Sequence, residues 1–327
     1  MTWKCFRLVF RLETPLHIGY GAKFGIIDRT RYYVPGKTFW GAVVSKLAQK
    51  SCGNFESLKE FVKENLIFSY FYLSTDKEGN QTYIPRYTEE GLKYGDMNVE
   101  EFESKFITSY LSTSIDKSFG KAEKGSLHEI ELIKNKLNNK DIFLIGYLFI
   151  RENSGVRLEN CSIFLNIQGD KCFLNKEKGW ELFGLIKNLQ IGGERNYGFG
   201  RIVLENVKLE NYEEVRLYNT KIRVKLSDLS VIVGEDMEKS GKNATTSNEE
   251  YTALSHVKID GLKFVQLKGD LEPLVTREWS EKGAGQNPNF EGVCLVPGSL
   301  FKLEENQKIK IGAYGIWQIN GQPRSKS

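Results

Sequence analysis

Along residues 3–12, WKCFRLVFRL, Cys5, Arg7, Val9 and Arg11 fall on one side and Lys4, Phe6, Leu8, Phe10 and Leu12 largely on the other. That period of two predicts a strand. The alternation stops in TPLHIGYGAKFG, where Pro15, Gly19, Gly21 and Gly25 predict a flexible loop carrying His17 and Lys23. From Gly36 to Lys50 the spacing becomes helical, with Phe39, Trp40, Val43, Val44 and Leu47 recurring on one face. After a polar, irregular middle, DIFLIGYLFI at 141–150 predicts a second strand and CSIFLNI at 161–167 a weaker one. In KGWELFGLIKNLQ at 178–190, Trp180, Phe183, Ile186 and Leu189 form one helical stripe, and RIVLENVKL at 201–209 predicts the next strand. The resulting order, β-α-β-β-α-β, is the ferredoxin-like split.

A chain of 327 residues exceeds the usual size of one core, so two domains are expected. The fold class read from the pattern is α+β, with tandem ferredoxin-like (RRM-like) domains and glycine-rich loops. The first domain is placed at 1–212 with 51–140 inserted, and a smaller, β-rich and more irregular one at 213–327. Within the latter, KIRVKLSDLSVIVG begins near Lys221, and GEDMEKSGKNATTSNEE at 234–250 is polar enough to predict a mobile loop. Short strands are predicted around GVCLVPGSLFKL and IGAYGIWQI.

Charge is distributed unevenly. The net charge is only +4, yet the first fifty residues hold nine Lys or Arg against Glu13 and Asp28. A locally basic end fits a polyanion such as nucleic acid, and it also fits a solvated face. The segment IGGERNYGFGR packs Gly192, Gly193, Gly198 and Gly200 into eleven positions, each costing roughly 0.5–1 kcal/mol against alanine in regular structure. Tight turns with positive φ offset that cost, and so does an anion lying against bare N–H groups; Arg195 and Arg201 favour the anion. Gly19 and Gly21, near Lys23, Arg29, Arg31 and Lys37, offer a second such surface. Lys37 and Thr38 follow Pro-Gly at a helix start, which suits an anion or simply a capping segment. Tyr197 and Phe199 stack on bases or cover backbone. In the ferredoxin-like order the loop after the first strand and the loop before the last approach each other, so that together they would clamp one RNA segment.

The five cysteines are odd in number and contain no CxxC pair, which argues against a disulfide framework or a zinc site. Three histidines far apart suggest no metal cluster. The opening residues lack the pattern of a signal peptide, and no run approaches the ~20 apolar residues of a membrane span, so a cytoplasmic protein is expected.

Four stretches in order resemble the RAMP superfamily of CRISPR-associated proteins: TPLHIGYG with YYVPGKTFWGAVVSKLA, SIDKSFGKAEKGSLHEIE at 114–131, GGERNYGFGR, and VCLVPGSLFKL at 293–303. The resemblance implies a non-catalytic RNA-binding subunit of a type III effector complex, most like the Cas-five-type subunit that caps the repeat-derived 5′ tag of the guide RNA. Its implied partners are the guide RNA, the large and backbone subunits and, indirectly, target RNA, with no membrane and no cofactor. The implied RNA-binding set comprises His17, Gly19, Gly21, Lys23, Arg29, Arg31, Lys37, Thr38, Lys117, Lys121, Gly192, Gly193, Arg195, Asn196, Tyr197, Gly198, Gly200 and Arg201. Asp116 and Lys117 would shape a loop over the guide, and Arg277, Trp279 and Lys282 would contact RNA or a neighbouring subunit. Three alternatives stay open, one of them a pure interaction scaffold that would bind partner subunits with no RNA affinity. A Cas-seven-type backbone subunit would cleave target RNA through Asp28, the one case in which a divalent metal enters. A guide-processing endoribonuclease would use His17 as general acid or base.

Overall fold

The computed structural model describes residues 2–51, 55–113, 115–116, 121–122, 126–158, 161–175, 179–234, 250–259, 264–280, 283–303 and 307–320. The elements used below, in chain order, are β1 (Trp3–Leu12), β2 (Gly19–Phe24), β3 (Ile27–Thr30), β4 (Tyr33–Val34), α1 (Gly36–Ser51), α2 (Phe55–Asn65), β5 (Leu66–Phe68), β6 (Phe71–Ser74), α3 (Val99–Phe106), β7 (Ile107–Ser112), β8 (His128–Ile133), β9 (Phe143–Arg151), α4 (Leu182–Leu185), β10 (Asn188–Gln190) and β11 (Arg201–Glu210). The later part of the chain adds β12 (Glu214–Arg216), β13 (Ile222–Lys225), β14 (Ser230–Val233), β15 (Val257–Lys258), β16 (Leu271–Ser280), β17 (Gly283–Leu295), β18 (Lys308–Ile311) and β19 (Trp317–Asn320).

The first sheet runs β10-β11-β1-β9-β6-β4, with β5 also paired to β9. β1 lies antiparallel between β9 and β11, meeting Arg151 at Trp3 and Glu210 at Cys5. Taking β5 and β6 as the second strand, this is the 4-1-3-2 order of the ferredoxin-like split expected from the sequence. Both faces of β1 are buried. Phe6, Leu8, Phe10 and Leu12 join the core beneath α1 and α2, whereas Trp3, Cys5 and Val9 join a second core shared with later strands. β9 divides likewise, with Leu144, Leu148 and Ile150 on one side and Ile145, Tyr147 and Phe149 on the other. The stripe Phe39, Trp40, Val43, Val44 and Leu47 of α1 is fully covered, at about 1.5–3 kcal/mol for each large side chain buried.

The second sheet, β12-β13-β14-β18-β19-β15-β17-β16, draws all its strands from beyond Glu213. No α-helix occurs among the described residues there. Val215, Val224, Leu295, Ile309 and Trp317 pack against the β1 and β9 residues of the second core. The loop expected at 234–250 falls, apart from its end residues, outside the described residues.

Three sequence expectations need correction. The stretch 14–25 is not a free loop: Leu16 bridges to Ile133, and β2 pairs with β3, Gly19 opposite Thr30 and Lys23 opposite Asp28. Nor is the middle irregular, since α3 leads into β7, which pairs with β8 in a four-stranded sheet ordered β7-β8-β3-β2. The long helix at 178–190 shrinks to α4, capped by the Glu181 carboxylate, which accepts from the Phe183 amide at 2.9 Å. Chain beyond it pairs instead with β11, Leu189 opposite Ile202, because edge pairing satisfies backbone groups at both ends of a segment that carries a glycine at its middle.

Candidate nucleic-acid interface

Two segments distant in sequence meet at one end of the first sheet. The Gly193 amide donates to the His17 carbonyl at 2.9 Å and the Gly200 amide to the Pro15 carbonyl at 2.8 Å. Gly192 and Gly200 have φ of +80° and +79°, and a β-carbon would lie 2.1 Å from the His17 oxygen at the first and 1.9 Å from the Ile191 oxygen at the second. Close backbone packing therefore explains both glycines. The amides of Gly193, Gly198 and Gly200 all have carbonyl acceptors within the protein, so the proposed cradle of bare N–H groups is replaced by side chains. Gly198 differs from the others: its φ is +86° and the space beside it is open. Gln190 braces this turn by donating to the carbonyls of Arg195 and Phe199 at 2.9 and 3.0 Å.

Arg195, Asn196, Tyr197 and Arg201 are exposed. Among the described residues, neither Arg195 nor Arg201 has a carboxylate partner. Tyr197 lies 5.7 Å from Tyr110 of β7 and 6.2 Å from Phe199, between ring centroids, and Tyr110 lies 5.7 Å from Phe199.

His17, lone in the sequence, is buried, and one of its ring nitrogens makes a hydrogen bond. Nδ1 lies 2.9 Å from the Glu131 carbonyl, to which it donates in the tautomer that bond requires, and Nε2 lies 3.8 Å from Asp28 Oδ1. Asp28 sits on β3, its side chain about one quarter exposed at 28%. The Glu131 carboxylate of β8 also accepts from the Thr30 amide at 3.1 Å, so that β8 contacts both the segment carrying His17 and the strand carrying Asp28. The sequence pattern did not point to Tyr110, which lies in the segment that lacked periodicity, and Glu131 entered only as the last residue of the 114–131 stretch.

The remaining candidates disperse. Arg31 is a largely covered residue of the contact between the sheets, donating to Tyr33 Oη and Glu272 at 2.8 Å, and so does not face the RNA surface. Burial alone would lower its pKa, but Tyr33 and Glu272 outweigh that and raise it. Arg29 is half-exposed and neutralised by Glu131 and Glu103, at 3.5 and 3.7 Å. The Lys37 ammonium lies over the rings of Trp40 and Tyr314, 3.9 and 3.7 Å from their centroids. Lys37 and Thr38 follow β4, at the opposite edge of the sheet from β10, and so belong to a different surface from the glycine turn. Gly19 pairs in the β2 ladder, Gly21 lies where its register shifts, and the Lys23 side chain is outside the described residues. Lys121 is exposed opposite Asp116, while Lys117, Lys282 and the Trp279 side chain fall outside the described residues; Arg277 is exposed on β16.

With this arrangement in view, the relatives are informative. The RAMP superfamily family model matches residues 9–203, more than half of the chain, and the chain belongs to that superfamily. No curated protein matches it. Among solved structures, a chain of the type III-B Cmr-beta complex bound to cognate target RNA and AMPPnP shares 13% identity at a TM-score of 0.50, over 90% of this chain and 86% of that one. A chain of the same complex bound to cognate target RNA gives 12% identity and a TM-score of 0.48 over the same shares. The first of these shows a common fold. No described helix is long and apolar enough to cross a membrane.

Proposed function

We propose that this chain is an RNA-binding subunit of a type III CRISPR effector ribonucleoprotein, acting in the cytoplasm at the 5′-tag end of the guide RNA. Its neighbours there are the large subunit and the backbone subunits, and it meets target RNA only through the guide. Residues 1–212 and 213–327 act as its two units, the first facing the RNA. The observation that carries this reading is the convergence of the 13–18 and 191–201 segments, which leaves Arg195 and Arg201 exposed without carboxylate partners. RAMP membership and the fold shared with a subunit of a type III-B complex support it.

The test is a filter-binding titration of the protein, alone and in its assembled complex, with single-stranded guide RNA. Affinity falls steeply with salt, because each neutralised phosphate releases counterion. The double variant Arg195→Ala, Arg201→Ala melts within about 0.5 kcal/mol of the parent. It binds RNA more than tenfold more weakly, since charge-assisted contacts contribute about 1.5–3 kcal/mol each. Unchanged affinity in that variant overturns the site.

The His17–Asp28 approach favours a second reading, cleavage of target RNA by a backbone-type subunit. There Asp28 would assist in-line attack of a 2′-hydroxyl, with the buried ring of His17 beside its carboxylate. No group of three His, Cys, Asp or Glu able to hold a metal occurs among the described residues, and no step is derived through one. On the capping reading, Asp28→Ala leaves target cutting by the assembled complex intact. Loss of cutting at one position, with assembly unaffected, establishes the second reading instead.

A further inference from the structure

We infer that Tyr110, Tyr197 and Phe199 form a stacking platform for one unpaired RNA base, an assignment that rests on the RNA-binding reading above. Their ring centroids lie 5.7, 5.7 and 6.2 Å apart, and Tyr110 and Tyr197 are 41% and 48% exposed. Aromatic side chains of this size normally bury their faces, and a base is a flat π-surface that covers a ring without needing a shaped pocket. A β-carbon at Gly198, between Tyr197 and Phe199 in sequence, would meet nothing within 4 Å, so no protein atom crowds that point of the turn.

The surroundings favour a nucleic acid over a protein partner. Arg195 precedes Tyr197 by two residues and Arg201 follows Phe199 by two, both exposed and without carboxylate partners among the described residues. Exposed Leu111 belongs to the other face of β7, because successive strand residues alternate; the positions flanking Tyr110 on its own face are Thr108 and Ser112. Rings bordered by cations and hydroxyls match a base with its phosphates better than an apolar protein surface.

Strand register places the platform relative to the rest of the site. Tyr110 pairs with Ile130, and Ile130 with Asp28, so all three share one row and one face of the four-stranded sheet. Two strand spacings put Tyr110 about 10 Å from Asp28. A base stacked on the platform therefore holds the adjoining sugar and phosphate toward the His17–Asp28 pair, and fixes which nucleotide of the strand faces it.

The experiment uses the full chain and single-stranded oligoribonucleotides carrying 2-aminopurine at one position at a time. Parent protein quenches the fluorescence strongly at one position. The variant Tyr110→Leu, Tyr197→Leu keeps apolar bulk without rings; it melts as the parent does, loses that quenching and binds about tenfold or more weakly. Tyr110→Phe, Tyr197→Phe restores both. A leucine variant that binds and quenches like the parent overturns the platform while leaving the RNA-binding reading in place. So does a phenylalanine variant as weak as the leucine one, since hydroxyl groups rather than rings would then matter. A leucine variant with intact RNA binding that drops out of the assembled complex makes the rings a protein contact and overturns the proposal. A parent that holds no RNA at any salt removes both readings.

Discussion

At the scale of single residues, the glycine turn separates two uses of the same amino acid. Gly200 has no room for a β-carbon, which would fall 1.9 Å from the Ile191 carbonyl oxygen, and Gly198 has room, although both have positive φ. The left-handed conformation alone costs a non-glycine residue about 1–2 kcal/mol. Gly198→Ala is therefore expected to lose about that much stability, and Gly200→Ala clearly more because the backbone must also move. Thermal midpoints of the two variants check this, and equal losses would contradict the packing argument. The sequence displayed these glycines plainly, and it favoured an anion through Arg195 and Arg201. It did not display the carbonyls of Pro15 and His17, which arrive from a distant segment and take the amides. Arg31 misled for the same reason: its partner Glu272 lies 241 residues away, so a part-buried ion pair looked like one more cation in a basic run.

At the scale of elements, legibility followed the strength of the hydrophobic period. β1, α1, β9 and β11 fell where the hydrophobic pattern placed them, because β1, α1 and β9 bury whole faces and β11 buries Ile202 and Leu204. The stripe at 178–190 failed because its apolar residues are needed at a sheet edge, and Gly184 weakens the helical alternative. What remains of that helix depends on its cap. Glu181 accepts from the Phe183 and Gly184 amides, satisfying two of the first-turn donors. Glu181→Ala is expected to lower stability by about 1 kcal/mol. Glu181→Asp, with the carboxylate retained on a shorter arm, keeps part of it, as comparison of chemical-denaturation midpoints at constant slope would reveal. Loss of slope as well would mean that the whole edge from α4 to β10 unravels. The β7–β8 arm was invisible beforehand: ITSYLS is mostly exposed, so it lacks the one-sided burial that writes a strand into a sequence.

At the scale of the molecule, the contact between the two sheets carries buried hydrogen bonds, such as Tyr72 Oη to the Leu254 carbonyl, and one cluster of ionisable groups. His256 is fully buried among Tyr70, Tyr33, Arg31 and Glu272. Its Nε2 meets the Glu272 carboxylate, which can only accept, so the proton resides there and Nδ1 accepts from Tyr70 Oη at 2.6 Å. Burial holds the His256 pKa below its ordinary 6.5; Glu272 opposes that and Arg31 adds to it. Burial would raise Glu272, but the hydrogen bond from His256 and the charge of Arg31 outweigh it and hold the carboxyl below 4.5. Both shifts are downward, so the unfolded chain binds more protons than the folded one as acid is added. The stability they contribute is present above each ordinary value and is lost as pH falls through the folded value, first for His256 below 6.5 and then for Glu272 below 4.5. One proton bound only by the unfolded chain changes stability by about 1.4 kcal/mol per pH unit. The thermal midpoint of the parent should fall between about pH 7.5 and 5. His256→Gln, whose amide can still donate to Glu272, should melt lower at the upper end of that range yet decline less steeply across it. Parallel declines in parent and variant would show that the junction between the sheets does not take up the proton.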